Sequence, residues 1–372
     1  MADSQKSQIV IASVLKPVDD ARLFEKIGVS LAEKGHEVHI FGVTTTGAPA
    51  TPVRQHPFKP FARISLRRLF IPWKIFFACL RIKPRLVIVG THELLTIAVL
   101  LKLFTRCKLI YDVQENYYWN ILYTDAFPMI VRPFLALFVR ARERLTAPMI
   151  DHFFLAEKGY QQELTFPRAR YTILENKARI SAGQLPERPA LERKPTIHLL
   201  FTGTLAENTG VFTAIDLAVK LHVIDDRFRL TIIGWAAKWD VIQRIKLQIE
   251  PRPFIRLITD DQPIPHTRIL EEIATADFGM VTYQINPSTT NSIPTKLYEY
   301  LAAQLPVLMV NHKPWVELCH KWSAAVVFNP FSYDAAELYR EMMSRHYYPE
   351  TPEGVTWTSE ESRLLDVVGK LI

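Results

Sequence analysis

The feature that most limits the fold of this chain is an alternation of strand-like and helix-like segments that runs along its length and lapses once. "QIVIASV" (8–14) is an apolar run of strand length, and the "DDARLFEKIGVSLAEKG" after it carries Leu23, Ile27 and Leu31 at four-residue intervals, a helical spacing. "EVHIFGV" reads as strand again. Further on come "RLVIVG", a helix from Glu93 to about Thr105, "KLIYDV", a helix near 128–146, "DHFFLAE" and "YTILEN". Such alternation predicts a parallel sheet with helices on both faces. Between 177 and 195 it gives way to "KARISAGQLPERPALERKP", a polar stretch punctuated by three prolines, which reads as a linker. It resumes with "TIHLLFTG", continues through "RLTIIGW", "FIRLITD", "DFGMVTY", "PVLMVN" and "AAVVFN" with helices between them, and ends on the helical "DAAELYREMMSRHYY" and "SEESRLLDVVGKLI". At 372 residues the chain exceeds one comfortable core. The expectation is an α/β protein of two tandem Rossmann-like domains, 1–176 and 196–350. The linker 177–195 joins them, and a closing helix in 351–372 packs back on the first. Ligands of such sheets bind beyond the carboxyl ends of the strands, so a tandem pair predicts a cleft between facing strand ends.

Several chemistries are excluded by what is missing. No GxGxxG follows the first strand, and no GxxxxGK[ST], HExxH or GxSxG occurs. No DxD pair or histidine cage offers a metal site, so none is expected. The three cysteines, Cys79, Cys107 and Cys319, are scattered without a CxxC, which points to a reducing compartment. The start of the chain lacks the basic and cleavable pattern of a signal peptide, and no apolar run reaches the length of a membrane span.

Charge is distributed unevenly. The net charge is +7, and no acidic residue lies between Glu37 and Glu93, where Arg54, Lys59, Arg67, Arg68, Lys74 and Arg81 alternate with Leu69, Phe70, Trp73 and Phe77. A second basic and apolar stretch, "VRPFLALFVRARERL", occupies 131–145. Residues 54–85 and 131–145 therefore have the composition of a surface that lies on an anionic membrane; a core-facing helix with a solvated basic face is the plainer alternative. Nucleic acid is not expected, because no binding motif accompanies the charge.

"NSIPTKLYEYLAAQLPVLM" (291–309) carries the sharpest chemical signal. Pro294 suits a first helical position, Thr295 can cap, and Lys296 adds a cation to a helix end that is already positive. That cost is relieved if an anion shares the site, and a helix amino end plus a lysine is a phosphate site. Glu299, three positions on, lies on the same helix face and can accept hydrogen bonds from both hydroxyls of a ribose. The alternative is a solvent-exposed Lys296–Glu299 ion pair.

This stretch resembles the donor-binding segment of family 4 glycosyltransferases of the GT-B fold, in their bacterial surface-polysaccharide branch. The opening helix with Asp20, Arg22, Leu23 and Phe24, the strand ends "GTHELLT" and "KLIYDVQEN", the loop "LLFTGTLAENTGV" and the closing "SEESRLLDVV" resemble that branch in the same order. The resemblance implies retaining transfer from a nucleotide-diphosphate sugar, the donor substrate in place of any cofactor. The donor is held mainly by the second domain and a glycan or lipid-linked acceptor mainly by the first, on the inner face of the cytoplasmic membrane. It places Glu299 on the ribose, Asn291 to Lys296, including Thr295, along the diphosphate and sugar, Gly203 against the phosphates, and Gly234 near the base, with Trp235 beside it. Relatives often carry Arg and Lys where this chain has Thr204 and Thr209, and a histidine where it has Gln114. Arg22 is a candidate to supply the missing charge. On the acceptor side His92, Glu93 and Glu115 follow strand ends and are candidate bases, with Gln114 a candidate sugar contact. Two other readings remain open: a catalytically impaired GT-B-like glycan-binding or partner subunit, and a nucleotide-sugar 2-epimerase on the same fold.

Overall fold

The computed structural model describes residues 6–45, 52–61, 65–123, 127–168, 170–179, 191, 194–260 and 263–372. Most of the expected linker, 180–190 with 192 and 193, lies outside the described residues. The chain divides into two compact units, one made of 1–176 with 357–372 and one of 177–356.

Unit 1 opens with β1 (Gln8–Pro17), a π-helical segment (Ala21–Gly28) continued by α1 (Val29–Glu33), β2 (Glu37–Val43), β3 (Arg54–Phe58), α2 (Arg67–Ile82), β4 (Leu86–Val89), α3 (Leu95–Thr105) and β5 (Lys108–Val113). It continues through α4 (Tyr117–Tyr123), α5 (Arg132–Thr146), β6 (His152–Leu155), α6 (Tyr160–Glu163) and β7 (Tyr171–Ile173). Its seven strands are all parallel, in the order β3-β2-β1-β4-β5-β6-β7. Alternate residues of each strand feed opposite faces, as the pleat requires. Val10 and Ala12 of β1 with Val87 and Val89 of β4 face α2 and α3, while Ile9, Ile11, Leu86 and Ile88 face Leu23, Phe24 and Ile27. The last helix of the chain, Thr358–Leu371, joins that second face through Leu364 and Val368, and Trp357 donates to the Ser30 hydroxyl at 3.0 Å.

Two local outcomes differ from the sequence reading. The segment 54–58, read as part of a basic interfacial stretch, is an edge strand beside β2. The opening helix is π-helical over Ala21–Gly28, capped by the Asp20 carboxylate, which accepts from the N–H groups of Arg22 and Leu23. Apolar positions at strict four-residue intervals suit a turn wider than 3.6 residues, and that wider turn buries Arg22 and Lys26 together with Leu23 and Ile27.

Unit 2 contains β8 (Ile197–Thr204), α7 (Val211–Ile224), β9 (Phe228–Trp235), α8 (Trp239–Ile249), β10 (Ile255–Ile258), α9 (His266–Thr275), β11 (Phe278–Val281), α10 (Thr295–Ala302), β12 (Val307–Val310), α11 (Lys313–His320), β13 (Ala325–Phe328) and α12 (Ala335–Ser344). Its six parallel strands run β10-β9-β8-β11-β12-β13. The order reverses direction between β8 and β11. In open α/β sheets the crevice beyond the carboxyl ends at such a reversal is where ligands bind, and α10 begins there.

Candidate functional site

The helix α10 is fixed from behind. The Tyr300 ring lies on Gly279 of β11, where a Cβ would come within 2.5 Å of it, and the Tyr300 hydroxyl is 3.0 Å from the Thr202 hydroxyl of β8. Leu297 and Leu301 are fully buried in the same core. The loop leading into α10 is held by Trp315, whose indole N–H donates to the Ser292 carbonyl at 2.7 Å. That loop is also stitched to the one after β8: Thr282 donates to the Gly210 carbonyl at 2.8 Å, and the Gln284 N–H donates to the Asn208 carbonyl at 2.9 Å. Gly210 is required there, since its φ is +81° and a Cβ would overlap the Thr282 carbonyl.

This scaffold buries the two residues that sequence spacing singled out. Lys296 is 6% exposed and so is Glu299, which removes the alternative of a solvated surface pair. The Lys296 ammonium has no hydrogen-bond partner. It lies 4.3 Å from the centre of the Phe201 ring and 5.0 Å from that of Tyr283, so the faces of two aromatic rings offset only part of its lost hydration. Burial pulls the lysine down to about 7 from the ordinary 10.5, against the opposing pull of Glu299. Burial, helped by Glu299, pushes the Tyr283 hydroxyl up to about 12, so this ring stays neutral. Glu299 is hydrogen bonded to the imidazole of His266 at 2.9 Å, across from the start of α9.

Gly203 ends β8 directly beside the lysine: a Cβ built on it would lie 3.8 Å from Lys296 Nζ, and its φ is +101°. It pairs in register with Gly234 of β9, where a Cβ would overlap the Gly203 carbonyl. Two glycines facing each other thus leave bare backbone at the strand ends next to an unpaired cation. Pro294 occupies the cap position of α10 and makes no side-chain cap hydrogen bond, so Thr295 is the first helical residue rather than the cap. Glycine backbone, a buried ammonium and a helix amino end thus meet beyond the carboxyl ends of β8 and β9.

The remaining candidates of unit 2 fall at the ends of β8 and β9 and in the loops that follow β8 and precede α10. Thr204 is exposed at the end of β8, and Asn291 is exposed in the turn before α10. Thr209 is buried and its hydroxyl donates within its own loop, to the Thr204 and Ala206 carbonyls, while accepting from the Ala206 N–H. It shapes the loop that a cation occupies in relatives of the resembled family. Trp235 is half-buried beside Thr204 in the ladder.

In unit 1, Arg22 is not a free cation. Its guanidinium, 2% exposed, binds both oxygens of Asp112 at 2.7–3.1 Å and donates to the Leu174 carbonyl at 2.8 Å. Gln114 donates to the same carboxylate at 3.0 Å. The proposed role of Arg22 as an extra diphosphate ligand is therefore not retained. His92 packs edge-on against Tyr117, and burial pushes its imidazole down to about 4, leaving it neutral and a weak proton acceptor. Glu93 pairs with Arg68, and Glu115 with Lys16 at 3.4 Å and Asn120 at 2.8 Å. The aromatic walls Phe201 and Tyr283, the His266 partner of Glu299 and the Asp112 anchor of Arg22 had no sequence signal; each is a single residue that only the tertiary fold brings to its partner.

The lysine gives the ligand-free chain a defined pH response. Its folded-state pKa lies below its unfolded value, so between about 7 and 10.5 the unfolded chain binds more protons. This group therefore raises stability as pH climbs through that window and withdraws the gain as pH falls back through 7. Thermal unfolding of wild type and Lys296→Met from pH 6.5 to 9.5 is expected to show the slope in the first and a flatter curve in the second.

Two parallel sheets in tandem, of seven and six strands among the described residues, match solved structures of the GT-B fold. No protein-family model and no curated protein matches the sequence. Solved structures do match. The chain is similar to sucrose-phosphate synthase from Thermosynechococcus elongatus, with a TM-score of 0.72 and 13% identity over 98% of this chain and 99% of that one. It is also similar to HepE of Anabaena, solved in complex with UDP-glucose, at TM-score 0.65 and 11% identity over 98% and 100% of the two chains. WaaG, a glycosyltransferase involved in lipopolysaccharide biosynthesis, matches at TM-score 0.65 and 14% identity over 96% and 95%.

Proposed function

We propose that this chain transfers a sugar from a nucleotide-diphosphate sugar to a glycan or lipid-linked acceptor, with retention of configuration, in the assembly of a surface polysaccharide. The observation that carries the reading is Lys296, an ammonium buried without a hydrogen-bond partner, beside glycine backbone and at the amino end of a helix. A buried unpaired cation is costly, and a diphosphate is the ligand whose charge and size relieve that cost. The HepE complex with UDP-glucose shows a ligand of this class on the same fold.

In this reading the diphosphate lies across Gly203, Lys296 and the first turn of α10, and Glu299 accepts from the ribose hydroxyls, held at its rotamer by His266. As the bond from sugar to phosphate breaks, negative charge grows on the phosphate oxygens, where the ammonium and helix end stabilise it without a divalent cation. The acceptor hydroxyl attacks from the same face, and its proton passes to a phosphate oxygen. The neutral, weakly basic His92 and the ion-paired Glu93 and Glu115 support that route over a dedicated protein base.

Incubation with a panel of nucleotide sugars in the presence of a chelator tests the reading: slow donor hydrolysis, and thermal stabilisation by UDP, GDP or ADP, are expected. Absence of both with every nucleotide favours the catalytically impaired subunit, for which the Thr204 and Thr209 replacements are the supporting observation. The Glu299 assignment has its own test. Glu299→Gln is expected to weaken nucleoside diphosphate binding about 10- to 100-fold, the loss of one charge-assisted pair of hydrogen bonds. The variant should lose most of the wild type's preference for UDP over 2′-deoxy-UDP, measured by calorimetry. An unchanged preference removes Glu299 from the ribose.

A further inference from the structure

The helices α2, α3 and α5 of unit 1 carry a second unexplained feature, an outer face that is both apolar and basic. α3 touches α2 and α5, with Phe76 of α2 edge-on to Phe104 of α3, while the inner sides of α2 and α3 supply the core against the sheet. On the outside, Leu69, Phe70, Phe104, Ile130, Phe134 and Phe138 project into solvent, each more than half exposed and Ile130 84% exposed. Folded chains rarely leave so many large side chains together unless a partner covers them. Between them stand the exposed Arg67, Lys74, Arg106 and Arg144.

The carboxylates on this face are accounted for. Across 65–108 and 129–146 the acids are Glu93, which pairs with Arg68, and Glu143, which is 2% exposed and bonded to Tyr111 and Arg140. Asp151 pairs with Lys102 and Lys108 at the end of α3, and the described residues of α2, α3 and α5 themselves carry no exposed acid. That excludes a second copy of the same face as the natural cover, because pairing it with itself would set cations against cations. It matches an anionic bilayer, whose headgroups take the cations while Leu and Phe side chains enter the acyl boundary. No helix among the described residues is long and apolar enough to cross a membrane, so the contact is with the surface.

We propose that the outer face of α2, α3 and α5, with the turn at 129–131, docks on an anionic phospholipid surface. It extends the sequence reading of 54–85 and 131–145 to α3 and leaves out the strand at 54–58. It stands apart from the donor reading, since vesicle binding needs no nucleotide. The test is flotation of the full chain with vesicles of phosphatidylcholine alone or with phosphatidylglycerol added. Binding at least tenfold stronger to the anionic vesicles is expected, weakened but not abolished by high salt, because the apolar contact is not screened. The variant Phe70→Glu with Phe134→Glu, both at solvent-facing positions, is expected to lose that binding while keeping the wild-type unfolding temperature. Failure of the folded wild type to bind anionic vesicles, or a concentration-dependent dimer that the same variant dissociates, overturns the proposal.

Discussion

Replacing Lys296 by methionine, which keeps the stem and removes the charge, is expected to weaken nucleoside diphosphate binding by roughly 100- to 1,000-fold, about 3 to 4 kcal/mol. The same change is expected to leave the ligand-free chain as stable as wild type or more so near pH 7. The two effects share one cause. In the empty site the ammonium is buried, has no hydrogen-bond partner and is compensated by aromatic faces alone, so deleting it removes an uncompensated charge. In the filled site the charge meets the phosphates. A lysine kept only for packing would show little change in either, because methionine fills the space of its stem beside Phe201. Lys296→Arg is not expected to rescue, because the planar guanidinium needs room that the Phe201 and Tyr283 rings occupy. Calorimetric titration paired with thermal unfolding reads both effects on one preparation.

Arg22→Ala is expected to destabilise unit 1 by about 3 to 5 kcal/mol, the usual cost of leaving one partner of a buried ion pair alone. Asp112 is 0% exposed, and with Arg22 removed its carboxylate keeps only the Gln114 amide among the contacts described above. The Leu174 carbonyl loses its donor as well. Neutralising the acid should recover part of the loss, so Arg22→Ala with Asp112→Asn is expected to be more stable than Arg22→Ala alone. Limited proteolysis as a function of urea follows the unfolding of this unit, and a double-mutant cycle gives the coupling. Nucleotide affinity of the folded variants is expected to be unchanged, because Asp112 already consumes the charge of Arg22. A loss of UDP binding with no loss of stability would return Arg22 to the diphosphate.

The sequence made the architecture legible because βα alternation states it twice: each strand is a short apolar run, and each helix repeats its apolar positions near 3.6. β3 escaped because Arg54, Gln55 and His56 carry no apolar alternation, and it forms only as an edge beside β2. The π-helical opening escaped because its four-residue spacing also fits an α-helix, and only the burial of Arg22 and Lys26 separates the two. At the site, Lys296 and Glu299 were legible as a pair on one helix face, but nothing local showed that the face turns inward. That follows from Tyr300 seated on Gly279 and from Trp315 holding Ser292, contacts between segments 15 or more residues apart. His266 was invisible for the same reason: it lies 33 positions from Glu299 and meets it only across the sheet's carboxyl edge.

The central claim is that the amino end of α10 holds a diphosphate through Lys296, whose charged form burial disfavours until the ligand arrives. Isothermal titration of UDP, or of whichever nucleoside diphosphate binds, at pH 8 in buffers of different ionisation enthalpy measures that proton directly. Net proton uptake on binding is expected, vanishing in Lys296→Met, with affinity falling as pH rises above 7. Tight binding with no proton uptake, and equal affinity in Lys296→Met, would contradict it.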